Sequence, residues 1–413
     1  MIAHKIELNP NNRQITYFNK ACGISRFAWN WGVAKWQEKY KLGERVSGMS
    51  LKKEFNSIKK REFPFVYEVT KYAAQQPFIQ LQEAYNRFFK KIAGMPKFKK
   101  KGKSKDSFYI GGDQIKIVGK KVKIPNLGFV KMREEVRFLG KISNATVSQI
   151  ADKWFISFGI KPSMSYLPCK NQASVGIDLG VKTLLSLSNG TFIESPKPLN
   201  RYLRKLKRLS RKLSKKVIKS NNFKKYSIKI ARVHKKIADI RRNSLHKITT
   251  FLTDNFKYIS IEDLNVKGMM ANSKLSKAIS DLGFYEFKRQ LQYKSENKGN
   301  ILLINDRWFA SSKTCSNCGS YKADLTLKNR VYKCRECNLE IDRDLNASMN
   351  LHNQLPIVHR EVKPVESEKS KLVLNAQGNL RTAMDLKARL LNLTSIVESG
   401  NKYQTNLTMS KFE

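Results

Sequence analysis

The sequence predicts a multidomain α/β chain with a helical segment, a small β-barrel or sheet, and a mixed α/β domain that carries a metal-bound insertion. Three observations predict it. Helical hydrophobic spacing runs from about Phe18 to Lys91. Short strand-like runs separated by turn residues fill 107–162. From Ser174 strands and helices alternate, and late in that region stands Cys315-x2-Cys318, fifteen residues, then Cys334-x2-Cys337. A chain of 413 residues has room for two or three domains, each with its own core.

Residues 1–15 open with a strand around Ile6 and Leu8. In the helical segment Phe27, Trp31, Val33 and Trp36, and later Phe78, Leu81, Ala84 and Phe88, recur at near-helical spacing. Such spacing marks a buried face rather than a base-stacking platform. Pro96 to Lys105 reads as a flexible basic loop. Its Lys97, Lys99, Lys100 and Lys101 suit either a solvated linker or a phosphate-contacting strap. Strands are expected at 108–110, 115–117, 121–124, 136–138 and 154–158.

Val175 to Gly180 is a strand whose apolar positions alternate, leaving Asp178 on the opposite face. Leu184 to Ile193 reads as strand, Asn189-Gly190 hairpin turn, strand. Residues 201–243 form a helical hairpin that turns at Asn221-Asn222 and carries 18 Lys or Arg against one acid, Asp239. One apolar stripe is Tyr202, Leu206, Leu209 and Leu213; the other is Tyr226, Ile230, Val233, Ile237 and Ile240. A solvated face mixes signs. A face of nearly one sign, with Arg204, Lys205, Arg208, Arg211 and Lys212, favours phosphate binding. Tyr258 to Glu262 is a strand ending in a carboxylate, 274–298 is helical, 300–304 is strand, and a helix starts near Asp342. Beyond Pro356 the chain is polar and weakly patterned; only Thr382 to Glu398 could make a helix, so 356–413 reads as a loosely ordered tail.

Charge narrows the function. There are 80 Lys and Arg against 33 Asp and Glu, a net of +47. So strongly self-repelling a chain calls for a polyanion, and nucleic acid is the first candidate because cations on phosphate release counterions. No apolar run approaches the ~18 residues of a membrane helix, and the N-terminus has no signal-peptide core, so a cytosolic protein is expected. Isolated Cys22 and Cys169 fit reduced, buried thiols.

Two Cys-x2-Cys knuckles at this separation supply the four thiolates of a structural zinc site, which leaves no cysteine free to act as a nucleophile. Gly319 suits the tight turn of the first knuckle. Three acids stand out by context: Asp178 on a strand, Glu262 at a strand end and Asp344 near a helix start. Their order, strand Asp, hairpin strands, helix, strand Glu, helix Asp, is that of an RNase H-like sheet. Converging carboxylates need cations, and two Mg²⁺ would hold them and serve phosphodiester hydrolysis. Two other readings compete. The Val175–Gly180 run is similar to the first phosphate loop of actin-like ATPases, but no later Gly-rich loop follows; Asp281-Leu282-Gly283 is not one. A zinc-ribbon DNA-binding regulator without catalysis would tolerate losing any one carboxylate, and all three are present.

Gly176-Ile177-Asp178-Leu179-Gly180, Ile261-Glu262-Asp263-Leu264, Ser311 to Gly319 and Asp342-Arg343-Asp344-Leu345-Asn346-Ala347 together resemble TnpB, the OrfB-type proteins of bacterial insertion sequences, relatives of the type V CRISPR effectors. The likeness runs to about residue 352 and includes Phe27-Ala28-Trp29-Asn30 and Pro96-Lys97-Phe98-Lys99. It implies an RNA-guided endonuclease that uses an RNA from the transposon end and cuts double-stranded DNA at a single RuvC-like site. It also implies a wedge barrel at 1–15 and 100–170, recognition helices at 16–99, a RuvC-like nuclease domain at 171–305 and 341–355, and a target-binding zinc ribbon at 306–340. Asp178, Glu262 and Asp344 would hold Mg²⁺, with Asp342 the alternative to Asp344 if the register shifts. Arg330 resembles the arginine that contacts the scissile phosphate, with Arg335 and Arg307 nearby. A monomer in a prokaryotic cytoplasm, associated with the nucleoid, is expected. Some relatives have lost their acids and bind guided DNA without cutting it.

Overall fold

A computed structural model describes residues 1–163, 169, 171–326 and 329–356, and the backbone of 371–374 and 380–382. The chain divides into two compact units, Met1–Ser165 and Tyr166–Glu413.

The first unit opens with β1 (Ile2–Asn9) and α1 (Asn12–Lys41). Asn11 and Gln14 cap α1 reciprocally, each side chain accepting from the other's backbone N–H. Then come α2 (Gly48–Glu62), α3 (Lys71–Phe89), β2 (Ser107–Gly111), β3 (Lys116–Val118), β4 (Lys121–Ile124), β5 (Gly128–Met132), β6 (Gly140–Ile150) and β7 (Lys153–Pro162). The strands form one antiparallel sheet in the order β2-β6-β7-β1-β5-β4-β3, and no ladder joins β2 to β3 among the described residues. One core joins helices and sheet: Phe18, Val33, Phe55, Phe78 and Leu81 with Ile6, Phe108, Trp154 and Phe158. The aromatic stripes of the helical segment therefore pack inward, as expected.

One strand expectation and one loop expectation need correction. Residues 136–138 are irregular, with Phe138 edge-on to His4 at 5.5 Å between ring centroids. The strands lie on either side of them, in β5 and in β6, which pairs along its length with β7. The basic loop is also pinned. Trp29 Nε1 donates to Lys97 O (3.0 Å), and Asn30 exchanges bonds with the Lys99 backbone (3.0 and 2.7 Å). Lys99 Nζ sits 3.8 Å over the Trp29 ring, and burial, then Arg26, push its amine down to about 8.

The second unit holds a mixed sheet. Its members are β8 (Ser174–Leu179), β9 (Leu185–Leu187), β10 (Phe192–Ile193), β11 (Tyr258–Glu262) and β12 (Ile301–Asn305). Strands β8, β11 and β12 run parallel, and β8–β9–β10 is an antiparallel meander. The β9–β10 loop turns at Gly190, φ +80°, as the Asn-Gly pair predicts. Helices α4 (Pro198–Ser214) and α5 (Asn221–Asn255) follow β10; α6 (Val266–Ala271), α7 (Ser273–Leu282) and α8 (Phe284–Lys298) follow β11. A small sheet of β13 (Val331–Lys333) and β14 (Glu340–Asp342) precedes α9 (Arg343–Asn353).

The expected tail contributes β15 (Lys371–Leu374), parallel to β10, and β16 (Leu380–Thr382). The helix expected beyond Thr382 lies outside the described residues. The basic hairpin turns at 215–220, not at Asn221-Asn222, because the Ser220 hydroxyl accepts from Phe223 N–H (3.1 Å) and starts α5 there. Its two stripes pack on each other through Leu206, Leu209, Val233 and Ile237. The continuous helix expected at 274–298 breaks at Gly283, φ +74°.

The first turn of α4 has no cap of its own. Asp281, on α7, accepts from Leu199 N–H (2.9 and 3.1 Å) and from Arg241 Nη2 (2.9 Å) on α5. Its side chain is 5% exposed. An anion at a helix N-terminus is favourable, whereas the half-buried guanidinium left without its carboxylate is not. Asp281→Ala is expected to cost about 3–5 kcal/mol in chemical denaturation.

Candidate active site and metal centre

Strand β8 and helix α9 pack face to face. Ser174 Oγ and His352 Nε2 are 2.8 Å apart. At Gly176 the contact is closer: a Cβ there would stand 2.1 Å from Ser348 O and 2.3 Å from His352 N. Every second residue of a strand advances about 6.6 Å, and every fourth residue of a helix about 6 Å. So 174 meets 352, 176 meets 348, and the same steps lead from there toward Asp178 on the strand and Asp344 on the helix. Gly176→Ala is expected to lose about 3 kcal/mol or more in urea unfolding, because two backbones have no room to yield. The control Gly23→Ala, with nothing within 4 Å, should be neutral or gain up to about 1 kcal/mol in helix α1.

The third acid arrives on the neighbouring strand. Ser260 on β11 donates to Leu351 O (2.6 Å) and accepts from Asn305 Nδ2 (2.7 Å). Glu262 is two residues further along the same face and pairs in register with Asn305. Electrostatics register the convergence. Burial first, then the charges of Glu262 and Asp344, hold the Asp178 carboxyl well above its usual range; Arg343 acts in the opposite direction. Burial pushes Glu262 up to about 7, against a hydrogen bond from Leu179 N–H.

Of the two acids at the start of α9, Asp342 is exposed and caps the helix, accepting from Asp344 N (3.0 Å) and Leu345 N (3.1 Å). Asp344 is the half-buried one, 20% exposed. Sequence reasoning missed Arg343. Its Nε and Nη2 both reach Asp344 Oδ1, at 3.1 and 2.8 Å, and the guanidinium is 13% exposed. An arginine between two acids at a helix start was the available signal.

The cysteine quartet is assembled as its spacing predicts. One sulfur from each of Cys315, Cys318, Cys334 and Cys337 lies within 4.8 Å of the others. The two knuckles repeat one geometry. Cys315 N–H donates to Ser320 O (2.8 Å) and Cys334 N–H to Leu339 O (2.9 Å), while Gly319 and Asn338, each four residues past the first cysteine, take positive φ of 78° and 55°. Ser320 lies 3.1 Å from the Cys334 sulfur and, with backbone N–H groups, holds that thiol down at about 6. Four clustered thiols with thiolate-stabilising donors fit a tetrahedral metal ion.

Arg330 is exposed. Its carbonyl accepts from Arg343 N–H (2.8 Å), so it stands beside the start of α9. Arg204, Lys205, Arg208, Arg211 and Lys212 are exposed on α4, and Lys205, Arg208 and Lys212 line a groove of about 530 Å³ with Tyr202, Tyr226 and Lys229. In the basic loop Lys97, Lys100 and Lys101 are exposed and Lys99 is half-buried. Cys22 and Cys169 are buried free thiols.

Residues 166–273 match a family described as "Probable transposase" of the OrfB IS605 type, and 284–351 match the "Cas12f1-like, TNB domain". Over 366 residues the chain is 32% identical to the Escherichia coli K12 protein named "Putative RNA-guided DNA endonuclease InsQ", spanning 84% of this chain and 91% of that one. The chain belongs to the TnpB (OrfB) family.

A Streptomyces pristinaespiralis relative of this TnpB protein is 32% identical over 359 residues, covering 84% and 88% of the two chains. TnpB-like protein L770 of Acanthamoeba polyphaga mimivirus is 26% identical over 238 residues, covering 54% and 45%. Among solved structures, the protein of a Cas12f1–sgRNA–target DNA complex shares the fold, with TM-score 0.51 and 14% identity over 82% of each chain. Residues 1–45 of this TnpB protein also match a "Helix-turn-helix domain"; they fold here as β1 and the single long helix α1.

Proposed function

We propose that this TnpB protein is an RNA-guided DNA endonuclease whose one active site is Asp178, Glu262 and Asp344 on an RNase H-like, RuvC-like sheet. The observation that supports the reading is the packing of α9 on β8, together with the charges of Glu262 and Asp344 acting on Asp178 at the end of the strands. Carboxylates suit a hard cation such as Mg²⁺, and the repulsion of Glu262 and Asp344 on Asp178 supports a site that cations draw together; among the described residues the group already close enough to hold an ion is the cysteine quartet. When bound there, Mg²⁺ supplies a nucleophilic water and charge compensation for the leaving oxygen. The chain's own residues set that stage. Leu179 N–H orients Glu262, and Arg343 fixes Asp344 and moderates the local negative charge. Arg330, exposed beside α9, is assigned to the scissile phosphate.

The quartet Cys315, Cys318, Cys334 and Cys337 is assigned one structural zinc, and the ribbon around it to target-nucleic-acid binding. The one-signed face of α4 and the exposed lysines at 97, 100 and 101 are assigned to nucleic-acid phosphates; a net charge of +47 supports a long bound RNA. The first unit is read as wedge and recognition elements, and the chain as a cytoplasmic monomer. A guide RNA from the transposon end and double-stranded target DNA are the partners. The test is to purify the protein, sequence the RNA it carries, and supply DNA matching that RNA. Mg²⁺-dependent cutting of both strands is expected. Guided binding without cutting by the unmodified chain would mark a regulator instead.

A further inference from the structure

We infer that Trp308 stacks on an unpaired base of a nucleic-acid strand and so positions that strand beside the acids; this rests on the reading of the acid site given above. Four of the five tryptophans are in contact with the protein interior: Trp29, Trp36 and Trp154 are buried, and Trp31 is half-buried. Trp308 is 86% exposed, more than any other large apolar side chain among the described residues. Water is a costly place for so large an apolar surface unless a partner covers it.

Its backbone is nevertheless held. Asp306 Oδ1 accepts from Trp308 N–H (2.8 Å), and Asp306 O accepts from Phe309 N–H (3.2 Å), closing a tight turn. Arg307 Nη2 donates to Asp263 Oδ2 (2.9 Å), and Lys288 Nζ to Asp263 Oδ1 (2.6 Å). Asp263 follows Glu262 directly. The ring is thus presented from a fixed turn, which keeps the entropic cost of stacking low.

Position supplies the second argument. Strands β8, β11 and β12 are parallel, so Asp178, Glu262 and Asn305 lie at the same, carboxyl, end of the sheet, where ligands of open α/β sheets bind. Three residues from Asn305 to Trp308 span at most about 11 Å, and the strand spacing from Asn305 to Glu262 adds about 5 Å. The indole therefore stands within a few nucleotides of a phosphate at the acids, at ~3.4 Å per stacked nucleotide. Stacking needs only a π-face and tolerates any base, which suits an enzyme whose sequence choice lies elsewhere. Arg307 and Lys288, tied to Asp263 beside the turn, add positive charge for the backbone of the same strand.

The test uses the full chain with its copurified RNA, carrying Asp178→Ala so that binding is read without cutting, in buffer with no added Mg²⁺. Labelled oligo(dT) and oligo(rU) are the probes. The part of the intrinsic fluorescence that Trp308→Phe removes reports on Trp308, and that part is expected to quench as oligo(dT) binds. Trp308→Ala should weaken oligo(dT) binding by about 5- to 150-fold, the equivalent of 1–3 kcal/mol for one stacked base, while Trp308→Phe recovers most of it. Retained zinc shows that each variant keeps its ribbon. If oligo(rU) shows the dependence and oligo(dT) does not, the stacked strand is RNA and the inference stands with that partner. Equal affinities for the parent, Ala and Phe proteins on both probes, or binding without quenching, overturns it. Cutting by the Asp178 form alongside that null result removes the stacking inference alone; full stacking dependence with no cutting removes the nuclease reading alone.

Discussion

Asp178→Asn is expected to lower guided DNA cleavage by about a thousandfold or more, to leave the bound RNA and zinc in place, and to stabilise the protein when no divalent cation is present. The first effect follows from the several kcal/mol that charge compensation at a phosphodiester contributes, at about 1.4 kcal/mol per factor of ten. The other effects follow from geometry. Asp178 is buried, and that burial, then the charges of Glu262 and Asp344, disfavour its ionised form. An amide of the same shape removes the repulsion while keeping the packing. Mg²⁺ should then raise the melting temperature of the parent, because a ligand that binds only the folded state stabilises it, and should raise that of the variant far less. Thermal melts with and without Mg²⁺ decide the matter apart from any cleavage assay. A variant less stable than its parent without added Mg²⁺ would show that the acids do not repel one another. Equal Mg²⁺ responses would place the ions elsewhere.

Cys334→Ser is expected to release about one zinc per chain and to abolish cleavage, although Cys334 touches none of the three acids. A structural zinc of this kind contributes on the order of 10 kcal/mol to local folding. The ribbon it organises is latched to α9 by buried amides. Ser316 N–H donates to Asn346 Oδ1 (2.9 Å), Asn346 Nδ2 to Thr314 O (2.7 Å), and Asn350 Nδ2 to Ser311 O and Thr314 O (2.7 and 2.6 Å). Asn346 and Asn350 lie on the same helix as Asp344, two and six residues beyond it. With the ribbon unfolded those carbonyls leave, and α9 keeps only its contacts with the sheet. Metal analysis and a melting curve with an added low-temperature transition are the readouts. Folded parent protein without zinc, or a variant that cuts at the parental rate, would remove the proposed coupling.

The features legible in the sequence were those carried by local spacing. The cysteine knuckles, the alternation that sets Asp178 on a strand face, the Asn-Gly turn and the paired stripes of α4 and α5 all depend on neighbours within a few residues. What escaped depended on the rest of the chain. Strand β6 is rich in Ser, Asn, Thr and Gln and has little intrinsic strand character; full-length pairing with β7 makes it a strand. Val136-Arg137-Phe138 has that character and no partner strand among the described residues. Asn221-Asn222 looks like a turn until Ser220 is seen to cap the helix. The helical segment and the strands of the first unit, separable by pattern, share one core because Phe18 and Phe78 face the same cluster as Phe108 and Trp154. In the acid site, Gly176 carries no sign of its purpose until the backbone of α9 is placed against it, and Arg343 is noticed only when its two donors are found on Asp344.

The match between two unlike rulers, steps of two along β8 and steps of four along α9, makes the third carboxylate a matter of phase as well as of identity. Deleting one residue between Asp344 and Ser348 would swing the acid about 100° around its helix axis while altering none of the three acids. Substitution tables would score such a protein as intact, and the proposed metal site would be dismantled all the same.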